Sequence, residues 1–135
     1  MYLRLAELAD NAHLDRRGKL HITGVFDRIY SPTFPMAHSG AYLALILACA
    51  ADESGEHIVE VNFIDEDGHS IWTIEVRAEV EGRGSSFRTN VPLPLPPFAL
   101  SHPGEYSLEV FIDGYHRRSV ELTAELTNLP PSGDE

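Results

Sequence analysis

One cysteine, Cys49, stands among 135 residues, so no disulfide can form within the chain. Nothing in the composition calls for an oxidising compartment. Cations are scarce as well. Lys19 is the one lysine, and ten Lys and Arg face 21 acids, for a formal charge of −11. A surface this acidic repels phosphate backbones and anionic lipid, which argues against nucleic-acid and membrane partners. Long apolar runs are missing too. The longest, AYLALILACAA (residues 41–51), is too short to span a bilayer as a helix. The N-terminal stretch carries Arg4, Glu7 and Asp10 where a signal peptide needs unbroken apolar sequence. The expectation is a soluble, cytoplasmic protein.

What is present is alternation. With 43% hydrophobic and 23% charged residues the chain is globular. Its dominant period is two. Val59, Val61 and Phe63 alternate with Glu60 and Asn62, and Trp72, Ile74 and Val76 with Thr73, Glu75 and Arg77. Tyr106, Leu108, Val110 and Ile112 share one face, as do Val120, Leu122, Ala124 and Leu126. Such segments are antiparallel strands with one wet side. EDGH lies between the first two and Asp113-Gly114 between the last two, and these are hairpin signals. Residues 2–9 and 19–29 read as two further strands, although 3–14 also fits a helical face. Gly24 and a shift of apolar parity predict a bulge or bend in the second.

Two segments carry more. Residues 42–49 are apolar on both faces, with Leu43, Leu45, Leu47 and Cys49 on one and Tyr42, Ala44, Ile46 and Ala48 on the other. A strand of this kind is covered on both sides, by a loop of its own chain or by a partner. The second reading makes Tyr42, Ala44, Ile46 and Ala48 a homodimer contact. In NVPLPLPPF the prolines at 92, 94 and 96 remove backbone donors from one edge only. This predicts an edge strand blocked against further pairing, with a polyproline-II docking segment as the rival.

These signals sum to one all-β domain over residues 1–128, with 129–135 as a flexible tail. It is an antiparallel β-sandwich of about eight strands, immunoglobulin-like or C2-like, and a small closed barrel is the alternative.

Chemistry is thinly marked. Asp65, Glu66 and Asp67 do not match a calcium-binding EF-hand, because Gly68 comes fourth where a sixth is needed. A C2-type calcium site would gather Asp65, Asp67 and Asp113, if both hairpin tips lie at one end of the sandwich. The seven histidines show no zinc spacing, and no cofactor is implied. Ser85 and Ser86 lie in a glycine-rich stretch without the nucleophile-elbow pattern. Cys49 reads as an inert core thiol. The connection FDRIYSPTFPMAHSG holds Asp27, Arg28 and His38, and reads as a crossover with an internal ion pair or as a binding loop. With His102 these residues make the one loop-end constellation that a small hydrolase or metal-dependent enzyme could use.

GKLHITGVFDRI, FPMAH and PGEYSLEVFIDG resemble an uncharacterised bacterial family of small all-β proteins, a domain of unknown function. The resemblance rests on Gly18, Lys19 and Leu20; Gly24, Phe26 and Asp27; Phe34, Pro35 and His38; and Pro103, Gly104 and Tyr106. It implies a small β-domain and no catalytic residues. The reading is a non-catalytic module that binds a protein partner or itself.

Overall fold

The computed structural model describes residues 1–81 and 86–128. Eleven strands form in chain order. They are β1 (Tyr2–Leu14), β2 (Leu20–Val25), β3 (Arg28–Ser31), β4 (Met36–His38), β5 (Tyr42–Ala50), β6 (Gly55–Asp65), β7 (Ser70–Val80), β8 (Ser86–Pro94), β9 (Phe98–Leu100), β10 (Gly104–Ile112) and β11 (Tyr115–Leu126). One sheet has the order β2-β1-β5-β8 and the second β3-β11-β10-β6-β7, while β4 and β9 pair apart. The count exceeds the expected eight by three short strands, β3, β4 and β9. Segments of three or four residues carry too little alternation to be read. Residues 2–14 are strand, not helix, and the strand runs five residues beyond the expected end at residue 9. The tail 129–135 lies outside the described residues.

Alternation fixes the core. Val59, Val61 and Phe63 from β6 and Leu108, Val110 and Ile112 from β10 have no exposed area. They join Leu43, Leu45 and Leu47 from β5 in one hydrophobic cluster, so the two sheets pack face to face. Phe63 packs on Phe98 with ring centroids 4.8 Å apart, which ties the β4–β9 piece to that core.

The order of strands is that of an immunoglobulin sandwich. There, strands A, B and E neighbour one another in one sheet, and G, F, C and C′ in the other. Taken along this chain, β1, β5, β6, β7, β8, β10 and β11 occupy the places of A, B, C, C′, E, F and G. Among the described residues no strand holds the place of D, and β2 adds an edge beyond β1. Tyr106, near the start of β10, donates its hydroxyl proton to the His102 carbonyl at 2.6 Å. A tyrosine here that reaches back a few residues is the tyrosine corner of such sandwiches. It gives the PGEY stretch a mechanical reason: Pro103 and Gly104 turn the chain so that Tyr106 can fasten it.

The bulge expected at Gly24 does not form, because the β1–β2 register runs unbroken through it to Val25, and the chain leaves one sheet for the other just beyond. The Phe26 N–H still bonds Leu8 of β1 at 3.0 Å. One residue later, the Asp27 carbonyl accepts from Thr123 of β11 at 2.9 Å. β3 then runs parallel to β11, the one departure from the antiparallel expectation. Gly24 has φ +73°, and a Cβ there would stand 2.4 Å from Asp10 Oδ2. Gly24→Ala is expected to lower stability by about 1–2 kcal/mol from the left-handed backbone, with a steric part added. Pairing it with Asp10→Ala should recover the steric part alone. Urea denaturation of the two variants checks this, and equal midpoints would contradict it.

Candidate functional site

The apolar strand β5 lies between β1 and β8. Its second face is closed by the chain itself. β2 and β8 are opposite edges of this sheet, yet Asn90 Nδ2 on β8 donates to the Gly18 carbonyl in the β1–β2 turn at 2.9 Å. The hairpin therefore curls across β5 to meet the far edge. Small side chains on the curled face permit this. Ala9 stands opposite Tyr42, and both Ala9 and Ala44 are fully buried. Of the residues expected at a dimer contact, Ala44 and Ala48 have almost no area to offer, and Tyr42 and Ile46 are half-buried. The loop-cover alternative describes this geometry.

The acidic tips do not meet. Tyr106 pairs with Asp65 and Ile112 with Val59, so the β10–β11 turn lies at the opposite end of β6 from Asp65. Six residues of strand, about 20 Å, separate them. Asp65, Asp67 and Asp113 cannot share an ion. The carboxylates of Asp65 and Asp113 have local work instead. Asp65 Oδ1 accepts from the N–H groups of Asp67 at 3.0 Å and His69 at 2.9 Å. These bonds, His69 foremost, hold its acid below the ordinary range. Asp65, Asp67 and His69 lie close together, which is the geometry of a capped turn.

Asp113 locks the other end. It and Gly114 both take the left-handed conformation, φ +53° and +84°, as an Asp-Gly hairpin requires. Its Oδ1 accepts from the Ile58 N–H at 2.9 Å, and Oδ2 lies 2.6 Å from His57 Nδ1. His57 Nε2 lies 2.6 Å from the Glu53 carbonyl. Both ring nitrogens face acceptors, so the site favours the doubly protonated ring. Asp113 accordingly raises the pKa of His57, and His57 lowers that of Asp113.

The loop-end residues are not gathered either. His38 and Arg28 line a depression of about 240 Å³ beside Phe26, whereas Asp27 lines a different one. His102 faces the Pro103 carbonyl at 2.9 Å. Among the described residues no group of metal-ligating atoms unites Asp27, His38 and His102. Phe26 and Phe98 flank the His38 ring, with centroids 5.6 and 6.1 Å away. The expected internal ion pair exists in another form: Arg28 pairs with Glu125 across β3 and β11, in solvent.

Two constellations escaped the sequence reading. Ser119 Oγ, His116 and Glu109 meet on the outer face of the five-stranded sheet. Yet the same His116 nitrogen lies 2.9 Å from Glu109 and 3.3 Å from Ser119. A Ser-His-acid triad needs the two ring nitrogens to divide those tasks. The wider depression, about 630 Å³ between Tyr2, Arg4, Cys49, Phe87 and Arg88, offers Cys49 as its nucleophile. Burial raises that thiol's pKa, away from the reactive thiolate. Ser85 lies outside the described residues, and of Ser86 only the backbone is described.

The edges differ more than the pockets. β8 pairs with β5 alone, Pro92 opposite Ala44 and Pro94 opposite Tyr42, as a blocked edge strand. β3 has four residues, and β2 has six with Gly24 among them. β7 is the remaining edge. It has eleven residues, without proline or glycine, and among the described residues pairs with β6 only, in a register that shifts once beside Ile71. Its inward row of Trp72, Ile74 and Val76 stays half-exposed, although the paired row of Phe63, Val61 and Val59 on β6 is fully buried.

The strand order and the tyrosine corner thus define the class: an immunoglobulin-like β-sandwich. Residues 4–125 match the model of a family of unknown function (DUF6941), and the chain belongs to that family. Comparison with curated proteins gives no match. Among solved structures the chain is similar to the alkylpurine DNA glycosylase AlkC of Pseudomonas fluorescens bound to DNA with an abasic site analogue. Identity is 13%, covering 88% of this chain and 30% of that one, at a TM-score of 0.43. The chain therefore spans under a third of that enzyme's length. It is also similar to the immunoglobulin-like protein PA1606 of Pseudomonas aeruginosa, at 11% identity over 90% and 92% of the two chains and a TM-score of 0.40. Neither likeness says anything of activity. No helix among the described residues is long and apolar enough to cross a membrane.

The His57–Asp113 pair sets a pH dependence. His57, with its pKa raised, contributes stability that is whole below its ordinary value of 6.5 and is lost as pH rises through the folded value. Asp113, with its pKa lowered, contributes above its ordinary 3.8 and loses that contribution as pH falls through the folded value. The pair therefore stabilises most between those two values. Asp113→Asn keeps a residue suited to the turn and should remove about 1 kcal/mol, reduced because the carboxylate is part-exposed. Thermal melting from about pH 6 to pH 8 should fall in the parent and flatten in the variant. An unchanged slope would contradict this.

Proposed function

We propose that the domain is a non-catalytic interaction module whose binding element is the β7 edge. The observation that carries this is the asymmetry among the sheet edges. Among the described residues one edge of the two larger sheets is blocked and two are short, while the fourth is long, in even register with β6 from Trp72 onward, and unpaired along one side. An open edge presents a row of free backbone donors and acceptors, the template for an added strand. The half-exposed row of Trp72, Ile74 and Val76 supplies the apolar surface that such a strand would cover. Strand addition gives affinity through the backbone and selectivity through alternate side chains. The acidic surface favours soluble, protein-directed work over nucleic acid or membrane, and cytoplasmic residence fits it.

Trp72 is the chain's one tryptophan and stands on this edge. A peptide of residues 70–80 with Phe in place of Trp72 is a suitable strand probe. It should shift Trp72 emission to the blue, saturably, in dilute protein. Ile74→Lys, which sets a charge into the inward row, should abolish the shift. Folded parent protein whose emission ignores the peptide would refute the reading.

A further inference from the structure

The occupant of the β7 edge can be argued from its own side chains. Resting on the reading of β7 as a strand-accepting edge, we infer that it pairs with β7 of a second copy of this chain, antiparallel, about a twofold axis at Val76. The two five-stranded sheets then become one continuous sheet.

Charge selects the register. In an antiparallel pair, directly opposite residues lie on the same face, so a twofold axis must pass through a residue. The outer face of β7 carries Thr73, Glu75, Arg77 and Glu79, all exposed. Centring on Val76 sets Glu75 opposite the second copy's Arg77, twice over. It sets Thr73 opposite Glu79 and leaves no like charges facing. Centring on Arg77 opposes two arginines and pairs Glu75 with Glu79. Centring on Glu75 opposes two glutamates. Centring on Ala78 sets Arg77 opposite Glu79 twice but brings Glu75 towards Glu81, just past the end of β7, and leaves Thr73 and Ile74 outside the pairing. Opposite charges across strands stabilise and like charges directly opposite destabilise, so the Val76 register stands apart.

The fold within one chain supplies an independent reason. The β6–β7 register sets Glu60 directly opposite Glu75, and Glu56 opposite Glu79. Like charges so placed cost stability. In the Val76 register each Glu75 gains a guanidinium on its open side, which offsets the repulsion from Glu60. Arg77 Nη1 already lies 3.3 Å from Glu56 on its own β6. A guanidinium has five donors, so it can serve both carboxylates. On the inner face the same register brings Val76 against Val76, and Ile74 against Ala78. Val76 meets its half-exposed copy, and Ile74 is covered by a strand whose facing residue, Ala78, is already buried. The axis runs perpendicular to the sheet, so both cores lie on the same side.

Charge reversal tests this with the full chain. Arg77→Glu and Glu75→Arg alter exposed side chains, so both variants should fold. By sedimentation equilibrium the parent should be a dimer, and each variant alone should dissociate at least tenfold more readily. An equimolar mixture of the two variants should recover a heterodimer of parental affinity, since each Glu75–Arg77 contact is restored with one partner from each chain. A monomeric parent whose β7 still binds the strand peptide would overturn the second-copy inference and leave the edge reading standing. A monomeric parent that ignores the peptide would overturn both. Variants that dimerise like the parent, or that fail to recover on mixing, would overturn the register.

Discussion

A β-sheet of finite width leaves two edges of unpaired backbone N–H and C=O groups, and each must be blocked, covered or used. The two larger sheets give this domain four such edges, besides those of the short β4–β9 pair. Much that is individual in the sequence answers that constraint. Prolines 92 and 94 withdraw donors along the free side of β8, and Pro96 falls just beyond its end. Asn90 then holds the β1–β2 turn across the same sheet. β2 is short, and after Phe26 the chain passes to the other sheet, where four residues of β3 cover the free side of β11. β7 has none of these devices.

The polar groups tell a consistent story. Clusters that a functional search would single out turn out to fasten turns. Asp65 caps one hairpin, Asp113 and His57 lock another, and Tyr106 secures the entry to β10. Among the described residues no buried side-chain nitrogen or oxygen is left without a hydrogen-bond partner. A binding element made of backbone and short alternating side chains suits a fold whose polar side chains are already committed.

The sequence was most legible where period and local turn chemistry decide the structure. Alternation placed the core rows of β6, β7, β10 and β11, Asp-Gly marked a hairpin, and three spaced prolines marked β8 as an edge. Gly24 marked a left-handed residue near the end of β2, where a Cβ would also meet the Asp10 side chain. Long-range placement was not legible. That the two acidic tips lie at opposite ends follows from the β6–β10 register, which no local pattern encodes. The burial of Ala44 depends on a hairpin arriving from residue 18, and the parallel β3–β11 pair on strands almost a hundred residues apart. The β7 edge was visible as a strand, but its exposure became apparent only when β6 proved to be its one neighbour. The Glu75–Arg77 complementarity was in the sequence throughout. It had no meaning until that edge was known to be open.

Hydrogen exchange of the β7 amides in the unmodified protein is the most direct test. Among the described residues alternate β7 amides have no backbone partner, so in concentrated, assembled protein they should exchange slowly and on dilution quickly, while β6 and β10 stay protected throughout. If those β7 amides exchange freely in protein that is demonstrably assembled, β7 is not where this domain meets its partner.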